Sequence, residues 1–389
     1  LIIDADAHVV EPWDMWQEWI APRTRGRATR YADDRWGLGR PPAESRLHPA
    51  SPQPGPLYPN PLGSNSLRPN MLRPNTLRTG RTPRRLNGDG DLAHYRDDVT
   101  AGGRMDSRLA RMDHEGVDAA VILPSQGLAV GAVSDPALAS AMADAYNAWV
   151  WELCERAPGR LLPVAILPQH DVGRAVKTVR QAHETGFAAV LARPNPVGGR
   201  ALDDQANDPL WAEIDDCGMA VLVHEGTGFA PGSTADFDRS ESRICSHLLS
   251  HPMEQMLAVT SFVFGGILAR FPGLRVGFLE AGCGWLPYWL DRMDKHAEQL
   301  GWEVPWLDMR PSEYFRRQCF VSCEADDPFI PAVIDFPGPE VLMFSTDFPH
   351  SNHTMTGAVD RLRARADIPA SVFDAVAGAN CRRLLRREG

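Results

Sequence analysis

The sequence predicts an α/β fold, a (β/α)8 TIM barrel with an Arg/Pro-rich insertion after its first strand, and three observations carry that expectation. Eight short apolar, β-rich runs recur along the 389 residues. Most intervals between them have helical periodicity, and nearly every run ends in a polar or charged residue. Strands that are almost continuously hydrophobic, each separated from the next by a helix-length segment, make a parallel sheet covered by helices. A doubly wound open sheet is the competing architecture. No G-x-G-x-x-G or G-x-x-x-x-G-K-S/T loop follows a strand, so the usual nucleotide-binding reason for that fold is absent.

The first strand is expected at residues 1–7. A stretch of different character follows: between 23 and 85 there are 13 Arg, 3 acidic residues and 11 of the 33 prolines, with no apolar periodicity. Such a segment builds no core of its own. It carries a net charge of +10 in a chain whose total is −10, leaving −20 on the other 326 residues. Its LRPN-M-LRPN-T-LRTG run, at 67–80, is a degenerate five-residue repeat whose X-Pro steps disfavour helix. The segment reads as an extended surface excursion, an arm on another subunit, or a lid that brings arginines to an anionic substrate, since strand-to-helix loops open on the catalytic face of a barrel. The chain therefore reads as one barrel over 1–389 with the insertion at 23–85 within it. Further strands are expected at 119–124, 161–167, 188–193, 220–224, 275–280, 319–324 and 341–347. Helices are expected at 104–115, 136–156, 172–185, 209–217, 253–271 and 285–300.

Composition excludes several classes. The acidic total argues against a nucleic-acid binder, and Tyr58 is the only aromatic between 40 and 85, which leaves the basic stretch without stacking platforms. No apolar run approaches the roughly 18 to 20 residues of a membrane-spanning helix, and no signal-peptide pattern opens the chain, so a soluble, cytoplasmic protein is expected. Seven scattered cysteines with no C-x-x-C pair argue against a disulfide scaffold and a zinc knuckle. Cys319 and Cys323, on one face of a strand, read as core thiols.

In a parallel barrel, chemistry sits at the C-terminal ends of the strands. The residues there are Asp6 and His8, Gln169 and His170, Arg193, His224, Glu280, Glu324 and Asp347. Asp6 and His8 are two apart and point to one side of an extended strand. With His224 and Asp347 they compose a site of two imidazoles and two carboxylates for one divalent metal ion, for which zinc, manganese and iron all suit the donor types. Glu280 beside such an ion is an acid/base group or a fifth ligand. His350, three residues after Asp347, is a further catalytic or substrate-facing candidate. Arg193 offers a fork for a substrate carboxylate, or else a structural salt bridge. His251, before Pro252 at the expected start of a helix, faces the pocket or caps that helix. Glu11 is placed to orient His8. Trp13, Trp16, Trp19 and Trp36 line an aromatic pocket or belong to the core.

Five segments together resemble a known family: IIDADAHVVEP at 2–12, VHEG at 223–226, FPGLRVGFLEAGCGWLP at 271–287, STDFPH at 345–350 and the closing GANCRRLL. They are similar to the amidohydrolase-related family, which holds aminocarboxymuconate-semialdehyde decarboxylase and several aromatic-acid decarboxylases, over the whole chain outside the insertion. The resemblance implies a (β/α)8 barrel, one catalytic divalent metal and usually a homodimer. By position it places Asp6 and His8 on the family's His-x-His or Glu-x-His pair, His224 on the strand-five ligand and Asp347 on the strand-eight carboxylate. Two positions depart from the pattern: Asp6 replaces His or Glu, and Glu280 stands where the decarboxylases have a His that serves as acid/base. Three functions follow in order. The first is metal-dependent, non-oxidative decarboxylation of a small aromatic or cyclic carboxylic acid. The second is metal-hydroxide hydrolysis of a C–N, C–C or related bond in a small cyclic substrate. The third is an inactive metal-binding barrel whose basic arm holds a partner, against which four convergent ligands count.

Overall fold

Eight parallel strands lie side by side in chain order, each hydrogen-bonded to the next, in a computed structural model that describes residues 1–12, 15–20, 105–226, 243–350 and 356–386. The expected insertion at 23–85, with Trp13 and Trp36, lies outside the described residues. The strands are β1 (Ile3–Val9), β2 (Ala119–Pro124), β3 (Leu161–Ile166), β4 (Ala189–Ala192), β5 (Ala220–Val223), β6 (Arg275–Phe278), β7 (Cys319–Cys323) and β8 (Leu342–Phe344). Nearly all their residues are buried, as strands covered on both faces require.

The seam between β8 and β1 is closed by groups beyond the ladder. His8 N donates to Phe348 O (2.7 Å) and Asp347 N to Asp6 O (2.8 Å). The buried Asp4 carboxylate accepts from the backbone N–H (3.0 Å) and the hydroxyl of Thr346. Burial pushes the Asp4 carboxyl up to about 7, against the opposing pull of those hydrogen bonds. The register of β1 on β2 shifts between Asp4 and Ala7, a bulge that re-aims the end of the strand carrying Asp6 and His8.

Helices fill the intervals: α1 (Met15–Glu18), α2 (Met105–Glu115), α3 (Pro136–Cys154), α4 (Val172–Thr185), α5 (Asp208–Asp216), α6 (Arg243–Val263), α7 (Ile267–Arg270), α8 (Trp285–Leu300), α9 (Pro311–Gln318), α10 (Ile330–Asp335), α11 (Ala358–Arg363), α12 (Ala370–Asp374) and α13 (Asn380–Leu385). Local chemistry starts and stops them. Asp135 caps α3 by accepting from Ala137 N and Leu138 N, and Asp171 caps α4 by accepting from Arg174 N. Among the described residues no helix is long and apolar enough to cross a membrane. Cys154, Cys217, Cys283, Cys319, Cys323 and Cys381 are free thiols, with Cys319 and Cys323 buried in β7 as expected.

Two expectations needed correction. The helix expected at 253–271 begins ten residues earlier as α6, runs through Pro252, and stops before a break at Gly265 and Gly266. A proline inside a helix frees the carbonyl four residues before it, here that of Leu248, a residue on the exposed side of the helix. The strands were also expected to extend through His224, Glu280 and Asp347; β5, β6 and β8 end one to three residues sooner. Glu280 and Asp347 leave the extended conformation altogether, with φ of 49° and 53°.

Candidate functional site

At the C-terminal mouth of the barrel the two strand-end imidazoles are fixed in the same way. His8 Nδ1 lies 2.7 Å from Pro124 O and His224 Nδ1 lies 2.6 Å from Glu225 O. A carbonyl only accepts, so Nδ1 carries the proton in both rings and Nε2 is turned inward. His8 Nε2 is 3.3 Å from an oxygen of Asp6 and 3.3 Å from one of Asp347. His224 Nε2 is 3.7 Å from Asp6 Oδ1 and 3.0 Å from Glu280 Oε2. All five side chains are buried, and neither Nε2 atom has a hydrogen-bond partner among the described residues.

The electrostatics describe a site with an excess of buried negative charge. Burial first, and then repulsion from Glu280, Asp6 and Glu324, holds the Asp347 carboxyl well above the usual range. Glu324, on the loop after β7, is pushed up to about 8 by burial and by Asp327, Asp6 and Glu280. His8 is lowered to about 3 by burial and by His224, which keeps it neutral. Burial also disfavours a charged His224, but its contact with Glu280 and the charges of Asp6 and Glu280 raise it to about 9. A proton on His224 and a divalent cation answer the same demand: positive charge among carboxylates that have no water to solvate them. Asp6, His8 and His224 offer ligand atoms that all lie within 4.8 Å of one another, and so do His8, Glu280, Asp347 and His350.

Backbone devices hold the two carboxylates that arrive on left-handed residues, a conformation costly for any residue with a Cβ and characteristic of functional sites. Glu280 N donates to Ser322 Oγ (3.1 Å), and the turn after it is fixed by Cys283 N donating to Asp327 Oδ2 (2.8 Å). Gln255 of α6 donates to Val223 O (2.9 Å) and to Leu279 O (2.8 Å), the residues just before His224 and Glu280. His350 is tethered at both nitrogens, Nδ1 to Asp347 Oδ1 (2.7 Å) and Nε2 to Ser125 Oγ (3.0 Å), and its ring lies 4.2 Å from that of His8.

The structure thus brings Asp6, His8, His224, Asp347, Glu280 and His350 together. His251 joins them with Nδ1 3.7 Å from Glu280 Oε2, from within α6 and not at its start, so it is no cap. Arg193 is buried and engaged by the protein itself: it donates to Leu128 O (2.8 Å) and Asn195 Oδ1 (2.9 Å) and pairs with Glu225 at 3.4 Å. Glu11 does not orient His8; it accepts from Ser125 N, Gln126 N and Gly127 N at 3.3, 2.9 and 2.8 Å, fixing the loop whose Pro124 carbonyl does. Trp16 is core and its indole donates to Gln126, while Trp19 packs half-buried against the same cluster. Asp4, Ser125, His247 and Gln255 were missed. His247, His251 and Gln255 are spaced by four on one helical face, a signal that appears once the helix is started at residue 243.

Comparison with known proteins agrees with this fold. A 2-amino-3-carboxymuconate-6-semialdehyde decarboxylase of Dictyostelium discoideum is 25% identical over 247 residues, 63% of this chain and 66% of the relative, so the match spans just under two thirds of that protein. The crystal structure of an amidohydrolase from Mycobacterium avium subsp. paratuberculosis K-10 superposes with a TM-score of 0.73 at 22% identity, covering 99% of this chain and 97% of that one. A 5-carboxyvanillate decarboxylase from Novosphingobium aromaticivorans, solved with manganese and 4-hydroxy-3-methoxy-5-nitrobenzoic acid, superposes at 0.68 with 18% identity, over 99% of this chain and 96% of that one. The amidohydrolase family profile matches residues 3–387, and with an eight-stranded parallel barrel whose strand ends converge on two histidines and their carboxylates, the chain belongs to the amidohydrolase family.

Proposed function

We propose that the protein is a metal-dependent carboxy-lyase that removes CO2 from a small aromatic or cyclic carboxylic acid. The observation that carries this reading is the pair of inward Nε2 atoms on His8 and His224, each locked by a backbone carbonyl and each facing carboxylate oxygens. Asp6, His8, His224 and Asp347 would hold one divalent ion; the mixed nitrogen and oxygen donors suit manganese or zinc. Such an ion, when bound, supplies Lewis-acid polarisation of the substrate's oxygens.

The chain's own residues do the rest. Glu280 is placed to deliver a proton to the ring carbon that bears the carboxylate. As the new C–H bond forms, the C–C bond to the carboxylate breaks, CO2 leaves, and the bonding pair returns to the ring. His350, bound to both Asp347 and Ser125, steadies the Asp347 carboxylate and borders the substrate, as does His251 beside Glu280. Arg193, committed to Leu128, Asn195 and Glu225, acts on the substrate side by holding the loops after β2 and β5 in place. The decarboxylase relative and the manganese-bound neighbour support the reading.

One observation favours hydrolysis as a second reading. Burial would raise the Glu280 carboxyl, but His251, His224 and His247 outweigh it and hold the group well below the usual range, which suits a base that takes a proton from water. Assay of the metal-loaded protein against hydroxybenzoates and cyclic amides in 18O-water separates the two. CO2 release without 18O in the organic product is expected; 18O uptake without CO2 release selects hydrolysis. A homodimer is also proposed, through the exposed Leu249, Met253 and Leu257 stripe of α6, and light scattering at the monomer mass would remove it.

A further inference from the structure

We propose that His247, His251 and Glu280 form a second divalent-cation site beside the first. Glu280 presents its two oxygens in different directions. Oε2 lies 3.0 Å from His224 Nε2, and Oε1 lies 3.3 Å from His247 Nε2. His251 Nδ1 completes the group at 3.7 Å from Oε2, and the ligand atoms of all three residues lie within 4.8 Å of one another. Donors on a tetrahedral ion with bonds of ~2.0–2.1 Å are separated by ~3.3–3.4 Å, so the contacts to Glu280 stand near coordination spacing.

Two further features point to a ligand at this place. Glu280 Oε1 is buried and His247 Nε2 faces it, yet neither atom has a hydrogen-bond partner among the described residues. His247 and His251 are four apart on α6, a spacing that stacks two imidazoles on one helical face, and their ring centroids are 4.4 Å apart. Two imidazoles and one carboxylate are a donor set for zinc or cobalt, and the 26% exposure of the His247 side chain leaves an open position for water. Cation binding here does not depend on the reaction proposed above. Its effect on turnover does: with Glu280 engaged by a second ion, the group cannot carry a proton.

The test is titration of the metal-free full-length chain with Zn2+ by calorimetry and with Co2+ by visible absorption. Wild type is expected to bind two equivalents per chain, and both His247→Ala and the size-conserving His247→Gln to bind one. Circular dichroism checks that the variants are folded. Asp347→Asn should lose the other equivalent and keep the one that His247 supports. A single equivalent in wild type, or two equivalents retained in the folded His247 variants, overturns the second site. If Asp347→Asn leaves both equivalents in place while His247→Ala removes one, the second site stands and the proposed primary ligand set fails, so the two readings are separable.

Discussion

On the β2–β4 side of the barrel mouth, buried charge is answered by the protein itself. Glu11 accepts from three consecutive backbone N–H groups, and Arg193 is engaged by a carbonyl, an amide oxygen and Glu225. On the opposite side, formed by β1, β5, β6 and β8, imidazole nitrogens and carboxylate oxygens face each other at 3.0–3.7 Å, and among the described residues the inward nitrogens of His8 and His224 meet only those carboxylates. The same rule applies to both halves, since a buried charge must be compensated. One half meets it with residues already present and is therefore structure. The other leaves it to be met from outside, and that is where chemistry belongs.

The largest effect expected from breaking this contrast is on the second half. Glu280→Gln keeps the shape and removes the ionisable group proposed to carry the proton, and turnover should fall about 10²- to 10⁴-fold while the ion held by Asp6, His8, His224 and Asp347 is retained, measured by steady-state kinetics alongside elemental analysis. On the first half the expected loss is in stability. Arg193→Ala removes a buried guanidinium from Glu225, Asn195 and the Leu128 carbonyl at once and should cost about 3–5 kcal/mol in denaturant unfolding, with metal content unchanged in the folded fraction. A folded, stable Arg193→Ala that loses only activity would move Arg193 to the chemical side. Glu11→Gln takes away one of the two carboxylate oxygens shared among three N–H groups, so a smaller penalty of about 1–3 kcal/mol is expected.

The smallest effect is in the pH dependence of stability. Asp4 and Glu11 are each raised to about 7 from ordinary values of 3.8 and 4.5, chiefly by burial. Between those limits the folded protein holds protons that the unfolded chain has released. Their stabilisation is full below pH ~4 and is lost as pH rises through 7, so the melting temperature should fall from pH 5 to pH 8. Asp4→Asn, which keeps an oxygen for the Thr346 N–H, should flatten that slope, and a melting curve with an unchanged slope would remove Asp4 as a source of it.

Much of this was legible in the sequence, for physical reasons that differ by element. The barrel could be read because strands buried on both faces must be apolar for their whole length, and the site because Asp6, His8, His224, Glu280 and Asp347 interrupt that rule at strand ends. The start of α6 was hidden by Pro252, a helix breaker in isolation that a packed helix tolerates. His247 went unseen for the same reason, since its face depends on where the helix begins. Arg193 reads in the sequence either as a substrate fork or as a structural salt bridge, because its partners, Leu128 and Glu225, arrive from other loops. The role of Asp4 depends on Thr346, 342 residues away, which no local pattern contains.

Gln255 makes the spacing of the site a mechanical property of one helix. Its amide nitrogen grips the carbonyls beneath both His224 and Glu280, so these two strand tips are yoked to α6 as well as to each other. Any load that slides or tilts α6 is therefore transmitted to the gap between an imidazole and a carboxylate that now stand 3.0 Å apart. The exposed residues Leu249, Met253 and Leu257 lie on that same helix, so whatever packs there has a lever, one side chain long, on His224 and Glu280.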